Sequence, residues 1–379
     1  MALLRFSVAF LLLVGTQLSA QKTHLFVGTY TDGKPGPGIY IYKFNAHNGK
    51  LKPLAQGENI VNSSFITLSP DGKYLYACTE TKTPGAGSIS AFALDKGKGK
   101  LRLLNKYPSE GDNPVYLSVH SSGRWVINAN YSGGSASVYA VNADGSLQPA
   151  AQRLDFSGSS VIPGRQEAPH IHAAVFSPDE KFAYFTDLGS DRIYVYAFHP
   201  DREQPLEEQP DLQVRTIPGS GPRHLVFHPR LPVAYCVEEL SGAVSVYNYR
   251  QGKLEHQQRL NTYRTQMNVY GGADVHPSPD GKFLYVSNRL GDENTIAVFA
   301  VNPASGFLTL LSHTASGGDH PRNFVIDPSG KFLLVGNMLS NDIRVFKRNT
   351  KTGTLKPIGK PLAVPQPACL KMPAQTARK

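Results

Sequence analysis

Four residues far apart in the chain, His172, Arg223, Glu239 and Arg289, hold equivalent places in repeated segments and carry side chains that do chemistry. Guanidinium groups grip a carboxylate or phosphate through paired hydrogen bonds and stabilise a developing oxyanion. An imidazole titrates near neutrality, so it takes or gives a proton at working pH. A carboxylate between two guanidinium groups is held ionised, which suits it to orienting a water or an imidazole rather than to accepting a proton. Arg322 stands in the same kind of position as Arg223, and Arg165, Glu167 and His170 lie in the stretch PGRQEAPHIH at 163–172. The His-x-His pair has metal-ligand character, but no carboxylate or cysteine stands at ligand spacing beside it, so no metal is assigned. Each charge alone also reads as half of a surface salt bridge. Their recurrence at matching positions favours a common site.

A repeat sets those positions. Residues 221–249, GPRHLVFHPRLPVAYCVEELSGAVSVYNY, read as three short strands broken by turns, with β-branched and aromatic runs between Gly/Pro breaks. The pattern recurs at 65–94, 115–141, 172–198, 273–301 and 322–346. Ser69-Pro70-Asp71-Gly72 and Ser278-Pro279-Asp280-Gly281 suit type I turns. Pro178, Pro229, Pro279 and Pro328 recur about every 50 residues, a propeller-blade period. A weaker fourth strand follows in most units, as in GKLKPLA, GSLQPAA and GFLTLLS. Six units are complete, and an N-terminal one, HLFVGTY with GIYIYKF, lacks its first strand. Residues 367–372, PACLKM, would supply it, closing the ring and removing exposed sheet edges. The expected fold is therefore all-β, a seven-bladed β-propeller with four-stranded antiparallel blades.

In such a ring the first strand of each blade lines the central channel. Aligning the units on the turn gives one column there, Ser64, Val115, His172, Arg223, Ala273 and Arg322. A second column lies just past each second strand: Tyr30, Glu80, Tyr131, Leu188, Glu239, Arg289 and Met338. The short polar residues before these, such as Asn130, Asp187 and Asn288, read as turn formers. Charged residues that break a column are the site candidates.

Residues 1–20 read as a signal peptide, with Arg5 before an apolar core at 8–15 and a small-residue cleavage site ending at Ala20. The apolar core is too short to span a bilayer comfortably. The expectation is a periplasmic or secreted protein whose mature part, 21–379, is one propeller domain and a monomer, with no membrane attachment after cleavage. Net charge is +10, yet no basic run is interleaved with aromatics, so nucleic acid is not an expected partner. A basic protein with a concave site draws anionic small molecules. The three cysteines, Cys78, Cys236 and Cys369, form no CxxC pair and suggest no disulfide framework.

With RQEAPHIH (165–172), GPRHLVFHP, the EEL at 238–240 and SPDGKFLYVSNR (278–289) in view, the chain resembles the lactonase seven-bladed propellers. That family includes propeller-type 6-phosphogluconolactonases and carboxy-muconate cyclases, and the resemblance spans about residues 24–372. It implies a cofactor-free carboxylic ester hydrolase acting on a small anionic or sugar lactone. It also implies His172 (or His170), Arg223, Glu239 and Arg289 as catalytic residues, the four that the columns select. His172 is then expected as base or proton shuttle, Glu239 as the orienting group, and Arg322, Arg165, Glu167 and His170 as substrate contacts. A phosphorylated lactone is a cytoplasmic metabolite, so a related exported aldonolactone is the companion expectation. Two other readings stay open: a non-catalytic propeller binding an anionic glycan or protein, and a muconate-type lactonising cyclase.

Overall fold

A computed structural model describes residues 22–373 apart from 35, 58–59 and 96; the leader read at 1–20 lies outside the described residues. Seven antiparallel sheets follow one another around an axis. Blade 1 takes Lys22–Thr29, Ile39–Asn45 and Leu51–Gln56 from the start of the chain and its inner strand, Pro367–Lys371, from the end. Leu370 faces Val27 and Cys369 faces Gly28 across that pairing. The inner strands of blades 2 to 7 are Ile66–Leu68, Pro114–Val119, Ile171–Phe176, Pro222–Phe227, Gly272–Pro277 and Pro321–Ile326. Blade 4 departs from the four-strand pattern. Its outer strand is split into Leu206–Glu208 and Val214–Arg215 around a 3-10 turn at Pro210–Leu212, which is why no fourth-strand motif is visible there.

Blades pack face to face, so their second strands are covered on both sides. Trp125–Asn130, Val233–Glu238, Phe283–Asn288 and Phe332–Asn337 are buried along their whole length. Such strands read as continuous apolar runs instead of alternating ones. Outer strands such as Lys100–Pro108 are largely exposed and polar. A tie recurs between neighbouring blades. The buried hydroxyls of Tyr76, Tyr184, Tyr235 and Tyr285 donate to the carbonyls of Gly145, Gly252, Gly306 and Gly353, at 3.1, 2.7, 2.9 and 2.8 Å. These glycines occupy the next blade's outer hairpin at φ between 75° and 86°, where a side chain would be strained. Cys78, Cys236 and Cys369 are free and buried. Among the described residues no helix is long and apolar enough to cross a membrane.

One irregularity shapes the mouth of the channel. In the blade 3, 4, 5 and 7 inner strands the register slips by one residue, at Val115, His172, Arg223 and Arg322. In blade 6, Ala273 and Asp274 share the place opposite Ser287. An extra residue of this kind is a β-bulge, which bends the strand and re-aims its side chains.

Closure by the C-terminal strand should belong to the cooperative fold. Leu370 is 1% exposed and packs with Leu25, Val27 and Phe332. Leu370→Ala should lower the unfolding free energy by about 2–5 kcal/mol, read by urea denaturation. A loss under about 1 kcal/mol would mean that the ring holds together without its closing strand.

Candidate active site

The bulged residues converge. Val115, His172, Arg223 and Arg322 from four inner strands, with Ser64 and Phe65 just ahead of the blade 2 inner strand and His224, Asn323 and Ala368, line one small axial cavity. Above it, at the ends of the second strands, lies Glu239. Its Oε2 accepts from Arg223 Nε at 2.8 Å and from Arg289 Nη2 at 2.7 Å, and its Oε1 accepts from Arg165 Nη2 at 2.6 Å. Burial alone would raise this carboxyl, but the charges of Arg289, Arg223 and Arg165 outweigh it and hold it down at about 2. Glu239 reaches no imidazole; three guanidinium groups occupy its oxygens.

The arginines differ in what they leave free. Arg223 commits Nε to Glu239 and Nη1 to the Ala273 carbonyl at 2.6 Å, and its Nη2 has no hydrogen bond among the described residues. Arg289 commits Nη2 to Glu239 and lies 3.3 Å from His320 Nε2 through Nη1, while its buried Nε has no partner among the described residues. The Arg322 side chain is 15% exposed and approaches Glu80 only at 3.9 Å, over the ring of Tyr30. Its guanidinium makes no hydrogen bond with the described residues, so a set of charged donors faces the cavity unsatisfied. Tyr30 in turn donates to Glu80 Oε2 at 2.7 Å.

His172 stands at the cavity wall with its ring edge-on to Tyr131 and His224, and its buried Nδ1 has no partner. Burial first, and then the charges of Arg223 and its neighbours, push its pKa well below the ordinary value, so the ring is neutral near pH 7. His170 lies outside the cavity lining, stacked on Tyr131 at 4.5 Å with Nδ1 3.0 Å from the Tyr131 carbonyl. Glu167 does not join the group: its carboxylate accepts the Gly164 backbone N–H within its own exposed loop. The column residues His172, Arg223, Glu239, Arg289 and Arg322 therefore come together with Arg165 of the 163–172 loop, while Glu167 stays at the surface.

Several participants escape a reading of the sequence alone. Tyr30, Glu80 and Tyr131 share the second-strand column with Glu239, so position alone would have found them. His224 and Asp274 follow column residues directly. Strict alternation sends them to the opposite face, and only the bulge turns both members of each pair inward. His320, before Pro321, carries no periodic signal. Among the described residues, no group of three or more His, Cys, Asp or Glu is placed to hold a metal ion.

A ring of seven blades with guanidinium and imidazole groups at its axis decides the family. The chain belongs to the lactonase, seven-bladed β-propeller family, which matches residues 24–372. It is 40% identical to a 6-phosphogluconolactonase of Formosa agariphila over 92% of this chain and 99% of that protein. It is 33% identical to the 6-phosphogluconolactonase of Bacillus subtilis over 91% and 97%. The structure of the periplasmic gluconolactonase of Pseudomonas aeruginosa superposes with a TM-score of 0.88 at 35% identity, over 93% of this chain and 99% of that one.

Removing the shared carboxylate should be costly. Glu239→Gln leaves three guanidinium groups around a neutral amide, two of them almost fully buried, and should cost about 3–5 kcal/mol at pH 7. The folded-state pKa lies below the ordinary value of 4.5, so this stability is fully present above about 4.5 and is lost as pH falls toward 2. The gap in urea stability between wild type and variant should therefore close as pH is lowered through that window. A gap that stays constant would show that the charge of Glu239 is not what holds the cluster.

Proposed function

We propose that the protein hydrolyses the intramolecular ester of a sugar acid, gluconolactone, its 6-phosphate or a related aldonolactone, outside the cytoplasm. The observation that carries this reading is the pair of unsatisfied guanidinium groups, Arg322 and the Nη2 end of Arg223, facing one cavity together with the imidazoles of His172 and His224. An anion is what such a pair lacks, and lactone hydrolysis makes one twice: an oxyanion in the tetrahedral intermediate and a carboxylate in the product. A neutral imidazole in the same wall supplies a proton acceptor for water. Arg165 and Arg289 complete the positive field around Glu239. All these groups come from a single chain, so a monomer suffices. The leader read at 1–20 and the periplasmic relative support an exported site, and the two 6-phosphogluconolactonase relatives support the substrate class. A purely adhesive propeller has no use for a buried cation without an acceptor, and a cyclase would run the same groups in the reverse direction.

The test is acid release in a pH-stat with gluconolactone and with its 6-phosphate, corrected for spontaneous opening. Catalysis with at least one is expected, and acid release from neither above the background rate removes lactone hydrolysis. Arg322→Ala should raise KM about tenfold to a hundredfold, the equivalent of one charged hydrogen bond of about 1.5–3 kcal/mol, with the thermal midpoint little changed. If Arg322 instead meets the oxyanion, the loss will fall on kcat, and no change in either constant would take Arg322 out of the site.

A further inference from the structure

Two imidazoles line the cavity, and only one of them is oriented. His224 Nδ1 lies 2.8 Å from Asp274 Oδ1. An ionised carboxylate only accepts, so Nδ1 carries the proton and Nε2 keeps its lone pair. Arg223 Nη1 is 3.1 Å from Nε2 and 3.5 Å from Nδ1, so it lies alongside the ring and does not align with a single lone pair. Asp274 itself is pinned by the Val275 N–H at 3.0 Å, the Phe324 N–H at 3.2 Å, His276 Nε2 at 3.0 Å and the Asn323 amide. These partners come from blades 6 and 7, and His224 adds blade 5. Burial would raise this carboxyl, but the charge of His276 and the hydrogen bonds from His224 and His276 keep Asp274 well below the usual carboxylate range, so it stays charged and does not take the proton itself. Burial and then Arg223 keep His224 neutral, against the pull of Asp274. His172, by contrast, meets the Tyr131 and His224 rings edge-on, and among the described residues its Nδ1 has no hydrogen-bond partner to fix a tautomer.

Resting on the lactonase reading, we propose that His224 is the general base of the reaction and Asp274 its positioning residue. A base held by a third group is the arrangement that lets an imidazole act in one tautomer throughout a turnover. Water forms the new C–O bond to the lactone carbonyl as Nε2 takes one of its protons, and the carbonyl electron pair moves onto oxygen beside the guanidinium groups. The tetrahedral intermediate then collapses, the ring C–O bond breaks, and the imidazolium returns the proton to the departing ring oxygen as a hydroxyl. The acid so formed ionises to solvent, leaving the enzyme unchanged.

The experiment compares kcat and KM on gluconolactone or its 6-phosphate, whichever the wild type opens, for the wild type, His224→Ala, Asp274→Asn and His172→Ala, with thermal melts of each. His224→Ala should lose about 10²–10⁴ in kcat, the range of a general base, and added imidazole should restore a large part of it. Asp274→Asn should lower kcat about a hundredfold with KM nearly unchanged, as expected when the tautomer is lost and the shape is kept. His172→Ala should lose less kcat than His224→Ala, and added imidazole should not restore what it loses. Imidazole rescue of His172→Ala but not of His224→Ala would overturn the assignment, as would a folded His224→Ala that keeps most of its kcat. Wild-type protein inert on both lactones overturns the lactonase reading itself, and this base with it; an active wild type with an unimpaired His224→Ala overturns only the base. Rescue by imidazole is a readout that a merely structural role for His224 would not produce.

Discussion

One extra residue in an inner strand is the constraint on which this site depends. A regular strand sends successive side chains to opposite faces, so a blade could offer the channel only every second residue. The bulges at His172, Arg223 and Arg322 break that rule at the channel mouth. Arg223 and His224 are neighbours in sequence and both line the cavity, as do Arg322 and Asn323. Blades 5 and 7 thus each deliver two groups at one level of the axis. The density of polar atoms needed for proton transfer beside anion binding comes from that geometry.

Concentrating cations this way carries an electrostatic problem. Arg223 and Arg289 are almost completely buried, and burial followed by the charge of Arg289 pulls the pKa of Arg223 down. Glu239 answers it by sitting between them with both oxygens engaged. In that place it offsets the buried positive charge, where the sequence reading expected a group orienting a water or the imidazole. The offset is left incomplete by the fold: Arg322 has only a distant carboxylate, Glu80, itself hydrogen-bonded to Tyr30. A site that neutralised every guanidinium internally would have nothing left to bind an anion with.

What is legible in the sequence obeys the same physics. Turn signals and the 50-residue spacing report the blades, because each blade repeats the same turn chemistry. PACLKM can be placed against HLFVGTY because an incomplete first unit leaves one strand unaccounted for. The charged column-breakers Arg223, Glu239, Arg289 and Arg322 stand out because a blade has no structural use for a lone charge at the channel mouth. Glu167 misleads, since a charge in a long loop is solvated as easily as it is aimed, and its carboxylate closes its own turn. His224 and Asp274 are hidden because their visibility depends on the bulge, and a bulge is a departure from pattern that no periodicity announces. The split outer strand of blade 4 is hidden for the opposite reason: two- and three-residue strands carry too few positions to show a pattern.

Ring closure and site geometry are finally one network. The Leu370 backbone N–H, on the closing strand, donates to Asn323 Oδ1 at 2.6 Å. The other end of the Asn323 amide donates to Asp274, and Asp274 holds His224. Three hydrogen bonds therefore lead from the last strand of the chain to the imidazole at the cavity wall, passing through blades 1, 7, 6 and 5. An amide suits Asn323 to this post because it offers an acceptor to one side and a donor to the other, where a carboxylate would repel Asp274 and an apolar residue would leave both partners unsatisfied. The strand that closes the ring is thus tied by hydrogen bonds to the carboxylate that faces His224 Nδ1.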